Sequence, residues 1–247
     1  MVKSAVRIIQ LLELFDRKQC PLSIQQIVTE LRLPQSSVSS LVQSLVAMGY
    51  LNRLDDRRAF MPSERLAYLG NWTLGMQNGI AAINGLLNSL SEVTGEGALL
   101  GCRNGFFLRY IATTESPHAL RFALPVNQTR PLQSCGLGIM MLTQMTDAEV
   151  GLLVRRFNAE MPGHELARPE AEVLADVGLA REQGYFETFG MVTAEVGTIA
   201  TTLRLPWDGR CLAVGIGGPL NRMNPHRAWL RDSVLRLVQD FEARPDS

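Results

Sequence analysis

Ser36, Ser37, Ser40 and Gln43 fall on one side of an amphipathic stretch, LPQSSVSSLVQSLVAMGYL, that runs from Leu33 to Leu51, and Ser39 and Ser44 flank them. Short hydroxyls and an amide are hydrogen-bonding groups of limited reach. They suit close contact with base edges and phosphates, and they are poorly suited to making or breaking bonds. Gln43 is the longest of them and could pair bidentately with an adenine. The stretch carries no Lys or Arg. Charge for phosphates would therefore come from its surroundings: Lys3 and Arg7 upstream, and Arg53, Arg57 and Arg58 downstream. Two plainer readings stay open on these residues alone: a solvated amphipathic helix with serines on its outer side, and a head that only pairs proteins.

Catalytic patterns are missing. The sequence has no GxSxG elbow, no phosphate-binding GxxxxGK[ST] loop, no HExxH and no CxxC pair. Its histidines, His118, His164 and His226, are scattered, and Cys20, Cys102, Cys135 and Cys211 lie far apart. No enzyme activity, metal or cofactor is expected; the rival enzymatic reading is a small-acid hydrolase built on Cys135.

The elements that would position the polar face follow from periodicity. In SAVRIIQLLELF, Val6, Ile9, Leu12, Leu14 and Phe15 suggest the inward face of a first helix. Pro21 breaks it. Ser23 with Gln26 predicts a capping box opening a second helix with Ile24, Ile27, Val28 and Leu31 on one face. Pro34 suits the first turn of a third helix. Val38, Leu41, Val42, Leu45 and Val46 form its buried stripe, and Gly49 closes it. YLNRL and AFMP read as two short strands around the tip DDRR. Helix, helix, short turn, helix and hairpin is the order of a winged helix-turn-helix, whose last helix enters the major groove.

The whole-chain numbers agree. Hydrophobic residues at 46% and charged residues at 19% of 247 describe a globular chain with room for two domains. Net charge is zero, but residues 1–65 hold nine basic against six acidic side chains, a net +3, and the remainder carries −3. A basic front on an acidic body fits a nucleic-acid-binding head. No apolar run approaches the roughly 18 residues of a membrane span. The N-terminus lacks a signal-peptide core, so a cytoplasmic protein with no membrane partner is expected.

SAVRIIQLLELF, LSIQQIVTELRLPQSSVSSLVQSLVAMGYLNR and RAFMPSERLAYLG resemble the head of IclR-type bacterial transcription regulators. LLNSLSEVTGEGALLGCRNGFFLRYIA, RPLQSCGLGIMMLTQMTDAEV and the segment from LAREQGYFETFG through GIGGPLNRM resemble that family's effector domain, so the likeness covers nearly the whole chain. The resemblance implies an α+β protein. Its parts would be a winged helix-turn-helix (1–64), a linker helix (65–79) and a GAF/PAS-like effector-binding and oligomerisation domain (80–247) with a curved antiparallel sheet and flanking helices. It further implies a homodimer or homotetramer that binds double-stranded, palindromic operator DNA and a small organic acid. Such a protein regulates a catabolic operon, more commonly as a repressor, with activation as the alternative.

In the body, residues read on their own terms give a hairpin around Asn104-Gly105 and a capping box at Thr146 and Glu149. They also give a helix from Pro169 to Gly184, strands either side of Asp208-Gly209, and a last helix with Trp229, Val234, Leu237, Val238 and Phe241 inward. Ser134, Cys135, Gly136, Leu137 and Gly138 open a short helix whose free N–H groups could face an anion. The resemblance places that stretch in the pocket, together with Thr188, Val196, Thr198, Gly215 and Gly217. Thr188 and Thr198 can supply hydroxyls, while Met140, Phe186, Phe189 and Met191 could form an apolar wall or simply pack the core. Where the family often has Gly-Lys this chain has Gly138-Ile139, and Glu187 stands alone where paired acids are common. With Gly215 and Gly217 in place of polar residues and leaving extra space, these departures point to a larger or aromatic acid rather than a small keto acid.

Overall fold

The computed structural model describes residues 2–54, 59–63, 65–66, 77–122, 124–207 and 209–243. The wing-tip residues Arg57 and Arg58, most of the expected linker helix and Asp208 lie outside the described residues. The chain forms two compact units, Met1–Gln77 and Asn78–Ser247.

The first unit contains α1 (Lys3–Lys18), β1 (Leu22–Ser23), α2 (Ile24–Leu31), α3 (Gln35–Ala47), β2 (Leu51–Leu54) and β3 (Ala59–Pro62). β3 lies between β1 and β2, antiparallel to both. The capping box of α2 is present: Gln26 N–H donates to Ser23 Oγ at 3.3 Å and Ser23 N–H to Gln26 Oε1 at 2.8 Å. α3 ends in a Schellman arrangement. Tyr50 N–H reaches the Leu45 carbonyl at 2.8 Å and Gly49 N–H the Val46 carbonyl at 2.9 Å, with Gly49 at φ +78°. Pro34 is the residue before the helix (φ −58°, ψ 139°), so the helix begins one residue later than its first-turn placement implied.

The inward face of α1 differs from expectation. Leu11, Leu14 and Phe15 are buried and Ile8 is half-buried, whereas Ile9 is 55% exposed. The doublets Ile8-Ile9 and Leu11-Leu12 permit two faces about 100° apart. Packing against Ile27, Val38 and Leu45 in one core selects Ile8 and Leu11.

The second unit begins with α4 (Gln77–Thr94), β4 (Gly97–Asn104), β5 (Phe107–Thr114) and β6 (Thr129–Pro131), followed by a 3-10 turn (Leu132–Ser134). Next come α5 (Gly136–Leu142), α6 (Asp147–Glu160), α7 (Glu170–Gln183), β7 (Phe186–Phe189), β8 (Val196–Arg204) and β9 (Cys211–Pro219). α8 (Leu220–Met223), a 3-10 turn (Asn224–His226) and α9 (Arg227–Glu242) complete it. The six strands form one antiparallel sheet in the order β6-β5-β4-β9-β8-β7. Strand alternation divides its two faces. Leu99, Leu108, Tyr110, Phe186, Ala200 and Ala213 pack with α5, α6 and α7. Ala98, Leu100, Ile199, Leu203, Val214 and Ile216 pack with α4 and α9.

Two local expectations shift. Asn104 pairs with Phe107, so the β4–β5 loop is Gly105-Phe106, and only Gly105 has positive φ (+63°). That is the pattern of a type II′ turn rather than the type I′ turn expected at Asn104-Gly105. Trp229 is 52% exposed, because the buried stripe of α9 is Leu230, Val234, Val238 and Phe241, one helical step away. The Thr146–Glu149 capping box and the Gly184 stop at φ +78° are as expected. Among the described residues no helix is long and apolar enough to cross a membrane.

Candidate functional site

In the first unit the buried stripe Val38, Val42 and Leu45 seats α3, with Leu41 and Val46 half-buried beside it. Ser36, Ser40 and Gln43 are exposed on the opposite side, and Ser37 and Ser39 are half-buried. Ser44 Oγ donates back to the Ser40 carbonyl at 2.8 Å, which occupies the flanking hydroxyl. α1 brings a cation to this face: Arg7 Nη1 donates to Ser37 Oγ at 3.1 Å. Arg7, Ser4, Pro34, Ser36, Ser37 and Ser40 line a shallow groove there, whose floor includes Leu41. Lys3 is exposed one turn earlier on α1, and Arg53 is exposed on β2. Helix dipole and side-chain cations thus act together near the start of α3, where a phosphate would be favoured.

In the second unit a small cavity lies on the α5 face of the sheet. Of the residues that the resemblance assigned to effector binding, Cys135, Gly136, Leu137, Thr188, Val196 and Thr198 line it. Tyr110, Phe122, Leu124, Arg130, Val192 and Thr193 complete the wall. Arg130 sits on β6 and Thr188 on β7, the two edges of the sheet. In a flat six-stranded sheet those edges would be roughly 24 Å apart. Their meeting at one cavity reflects a sheet curled around it.

The three remaining expected residues do not line the cavity. Ser134 is 1% exposed, and its hydroxyl donates to the Leu166 carbonyl, anchoring the loop before α7. A Cβ on Gly215 would lie 2.3 Å from the Ile199 carbonyl oxygen, so this glycine serves close backbone approach between β9 and β8. A Cβ on Gly217 would lie 3.3 Å from Leu99 Cδ1 and 3.5 Å from Thr198 Cγ2, a tight but packed neighbourhood. The glycines therefore open no extra space, and that argument for a larger ligand falls. Gly136 matters differently: a Cβ there would sit 2.6 Å from Thr198 Oγ1, so only glycine lets α5 approach this hydroxyl. Thr198 Oγ1 and Thr188 Oγ1 are hydrogen-bonded at 2.6 Å.

The apolar candidates pack elsewhere. Met140 and Phe186 belong to the buried core and Met191 lies against it. Phe189 lies under the Arg227 guanidinium at 4.7 Å. Glu187 points to the opposite sheet face from Thr188 and pairs with Arg227, so it stays out of the cavity.

Electrostatics define the cavity further. Burial pushes the Cys135 thiol up to about 12, against the lowering influence of the nearby Gly138 backbone. Burial likewise raises Tyr110 well above the ordinary phenol value. Both groups are neutral at physiological pH, and a buried, protonated thiol is a poor nucleophile. α5 spans only seven residues, so the free N–H groups expected there are a minor source of positive charge. Arg130 is half-buried and supplies the cavity's only formal charge among the described lining residues. It escaped sequence reading because a lone Arg beside Pro131 resembles a loop residue. Its pairing with Leu108, a core residue of β5, places it on the inner sheet face.

Two family profiles match the chain: the IclR helix-turn-helix domain over residues 4–55 and the bacterial transcriptional regulator IclR C-terminal domain over residues 73–243. The chain is similar to the HTH-type transcriptional regulator XynR of Escherichia coli, 25% identical over 186 residues that cover 75% of this chain and 73% of that protein. It is similar to the transcriptional repressor IclR of Escherichia coli, 19% identical over 228 residues covering 92% of this chain and 83% of that one. Among solved structures, the effector domain of a transcriptional regulator IclR from Acinetobacter superposes with a TM-score of 0.61 at 29% identity, covering 66% of this chain and 95% of that one. The matched domains and relatives are transcriptional regulators, not enzymes.

Proposed function

The chain belongs to the IclR family of bacterial transcriptional regulators, and from that membership we propose that it represses a catabolic operon, releasing or gripping its operator according to a small organic acid bound in the second unit. The observation that carries the DNA reading is the exposed Ser36, Ser40 and Gln43 face of α3, with Arg7 hydrogen-bonded to Ser37 at its edge. α3 enters the major groove of double-stranded DNA. Ser36, Ser37, Ser39, Ser40 and Gln43 meet base edges and nearby phosphates, while Lys3, Arg7, Arg53, Arg57 and Arg58 meet the backbone.

One such helix covers a few base pairs, too few for tight specific binding. A homodimer or homotetramer that spaces two heads by about one helical turn, roughly 34 Å, supplies the second half-site of a palindrome. The acid regulates only if it binds the DNA-competent and incompetent arrangements unequally. Cys135, Gly136, Leu137, Thr188, Val196 and Thr198 contribute the pocket, and a cytoplasmic location follows from the DNA target.

The test is a mobility-shift titration of the full chain against DNA upstream of its own gene, at physiological salt, with and without a panel of organic acids. A sequence-specific shift that an acid alters is the expected result. No specific shift under any condition would overturn the reading.

A further inference from the structure

Several arginines of the second unit are paired with carboxylates. Arg155 holds Glu170, Arg168 holds Asp176, Arg181 holds Asp147, Arg222 holds Glu96 and Arg227 holds Glu187. Arg130 differs. No acidic side chain lines its cavity, and no carboxylate pairs with it among the described residues. Its polar neighbours Tyr110 and Cys135 are held neutral by burial, so neither can serve as counter-ion. A half-buried guanidinium against Phe122, Leu124, Leu137 and Val196 is thus an uncompensated charge beside an apolar wall.

The rest of the cavity's polar lining is uncharged. Thr188 and Thr198 share a 2.6 Å hydroxyl contact, and Thr193 lies nearby on the lining. A hydroxyl or carbonyl group could exchange hydrogen bonds with these threonines. A second carboxylate would meet no cation there.

We propose that Arg130 is the anchor and the specificity-determining residue of this cavity, and that it selects monocarboxylates with an apolar body over neutral isosteres and over dicarboxylates. This rests on the reading of the second unit as the ligand-sensing one. The carboxylate accepts two parallel N–H bonds from the guanidinium. The apolar body replaces water against Tyr110, Phe122 and Leu124, and a neutral polar tip reaches the threonine pair.

The experiment is calorimetric titration of the full-length protein with benzoate, 4-hydroxybenzoate, hexanoate, benzamide and terephthalate. It is run on wild type, Arg130→Gln and Arg130→Lys. At least one monocarboxylate should bind wild type, with benzamide and terephthalate weaker by roughly tenfold or more. Arg130→Gln should lose the monocarboxylate by a similar factor. Arg130→Lys should retain part of the affinity, since it keeps the charge and loses the fork. Circular dichroism melting of each variant reports folding, and a wild-type melting curve with lost binding supports the assignment. Three outcomes would overturn it: no monocarboxylate binding to wild type, undiminished binding to Arg130→Gln, or equal binding of benzamide or terephthalate. The mobility shift without ligand separates the two readings. If the wild type fails to bind DNA, the regulator reading falls while the Arg130 affinities still stand as measured.

Discussion

Arg7 in α1 and Ser37 in α3, thirty positions apart in sequence, are joined by a hydrogen bond of 3.1 Å from Nη1 to Oγ. The contact sets a cation at the first turn of a helix that has none of its own. Under the proposed function, recognition would be divided between elements: α3 would offer short polar groups to bases, and α1 a charge indifferent to sequence.

That division predicts opposite phenotypes for two substitutions. Arg7→Gln should weaken binding to all DNA sequences alike and flatten the salt dependence by about one unit of log–log slope. Gln43→Ala should leave the salt slope intact and change which bases are preferred, by about 1–3 kcal/mol at the contacted position. Salt titrations of mobility shifts on a randomised operator would check both. A sequence-selective effect of Arg7→Gln would refute the assignment.

Gly49 adopts φ +78°, and its N–H and that of Tyr50 close the last turn of α3. A Cβ there would have only ordinary contact with Arg65, 3.7 Å from Nη1, so backbone conformation alone opposes substitution. Gly49→Ala should cost about 1 kcal/mol in denaturant unfolding of the first unit. DNA affinity should fall as well, because the same turn aims β2 into the wing.

Glu96, with a side chain only 4% exposed, receives Arg222 Nε and Nη2 at 2.7 Å each. Arg222 Nη1 also reaches the Leu120 carbonyl at 2.8 Å, tying down the segment that carries Phe122 to the cavity wall. Glu96→Gln should destabilise the second unit by about 2–3 kcal/mol, less than for a fully buried pair because Arg222 keeps some solvent contact. Gly218→Ala should act on the same pair, since a Cβ there would lie 2.1 Å from Glu96 Oε2. Chemical denaturation of each variant would test this, and an unchanged midpoint would refute it.

Cys135 should resist alkylation at pH 8 in the native state, while exposed Cys20 reacts. With its folded value pushed up to about 12 from an ordinary 9, the thiol stays protonated in the fold when the unfolded chain has already released its proton. This contribution to stability is complete below pH 9 and is lost as pH rises from 9 to 12, at up to about 1.4 kcal/mol per pH unit. Comparing alkaline unfolding of wild type with Cys135→Ala isolates the effect, which should be absent in the variant.

The readable parts of the site share a short range. The Ser23–Gln26 and Thr146–Glu149 capping boxes close over three residues, and both form as expected. The stripe of α3 and the polar face opposite it are set by helical period alone. Cys135, Gly136 and Leu137 were recognisable through family likeness, as were Thr188, Val196 and Thr198. Arg130 was not, because its significance depends on what surrounds it: alternation shows which face it takes only once its pairing with Leu108 is known.

By itself, then, the sequence determined the elements, their caps and the polar character of the α3 face, because these depend on contacts within about one helical turn or on strand alternation. Tertiary structure decided the rest. Packing chose Ile8 over Ile9 on α1, and Leu230 over Trp229 on α9. Close backbone approach assigned Gly215 to strand packing instead of ligand space. Curling of the sheet brought Arg130 and Thr188, from opposite edges, to one cavity. The reason is physical: local patterns restrict which faces a segment can bury, but the choice among them is made by the long-range contacts that a compact core demands.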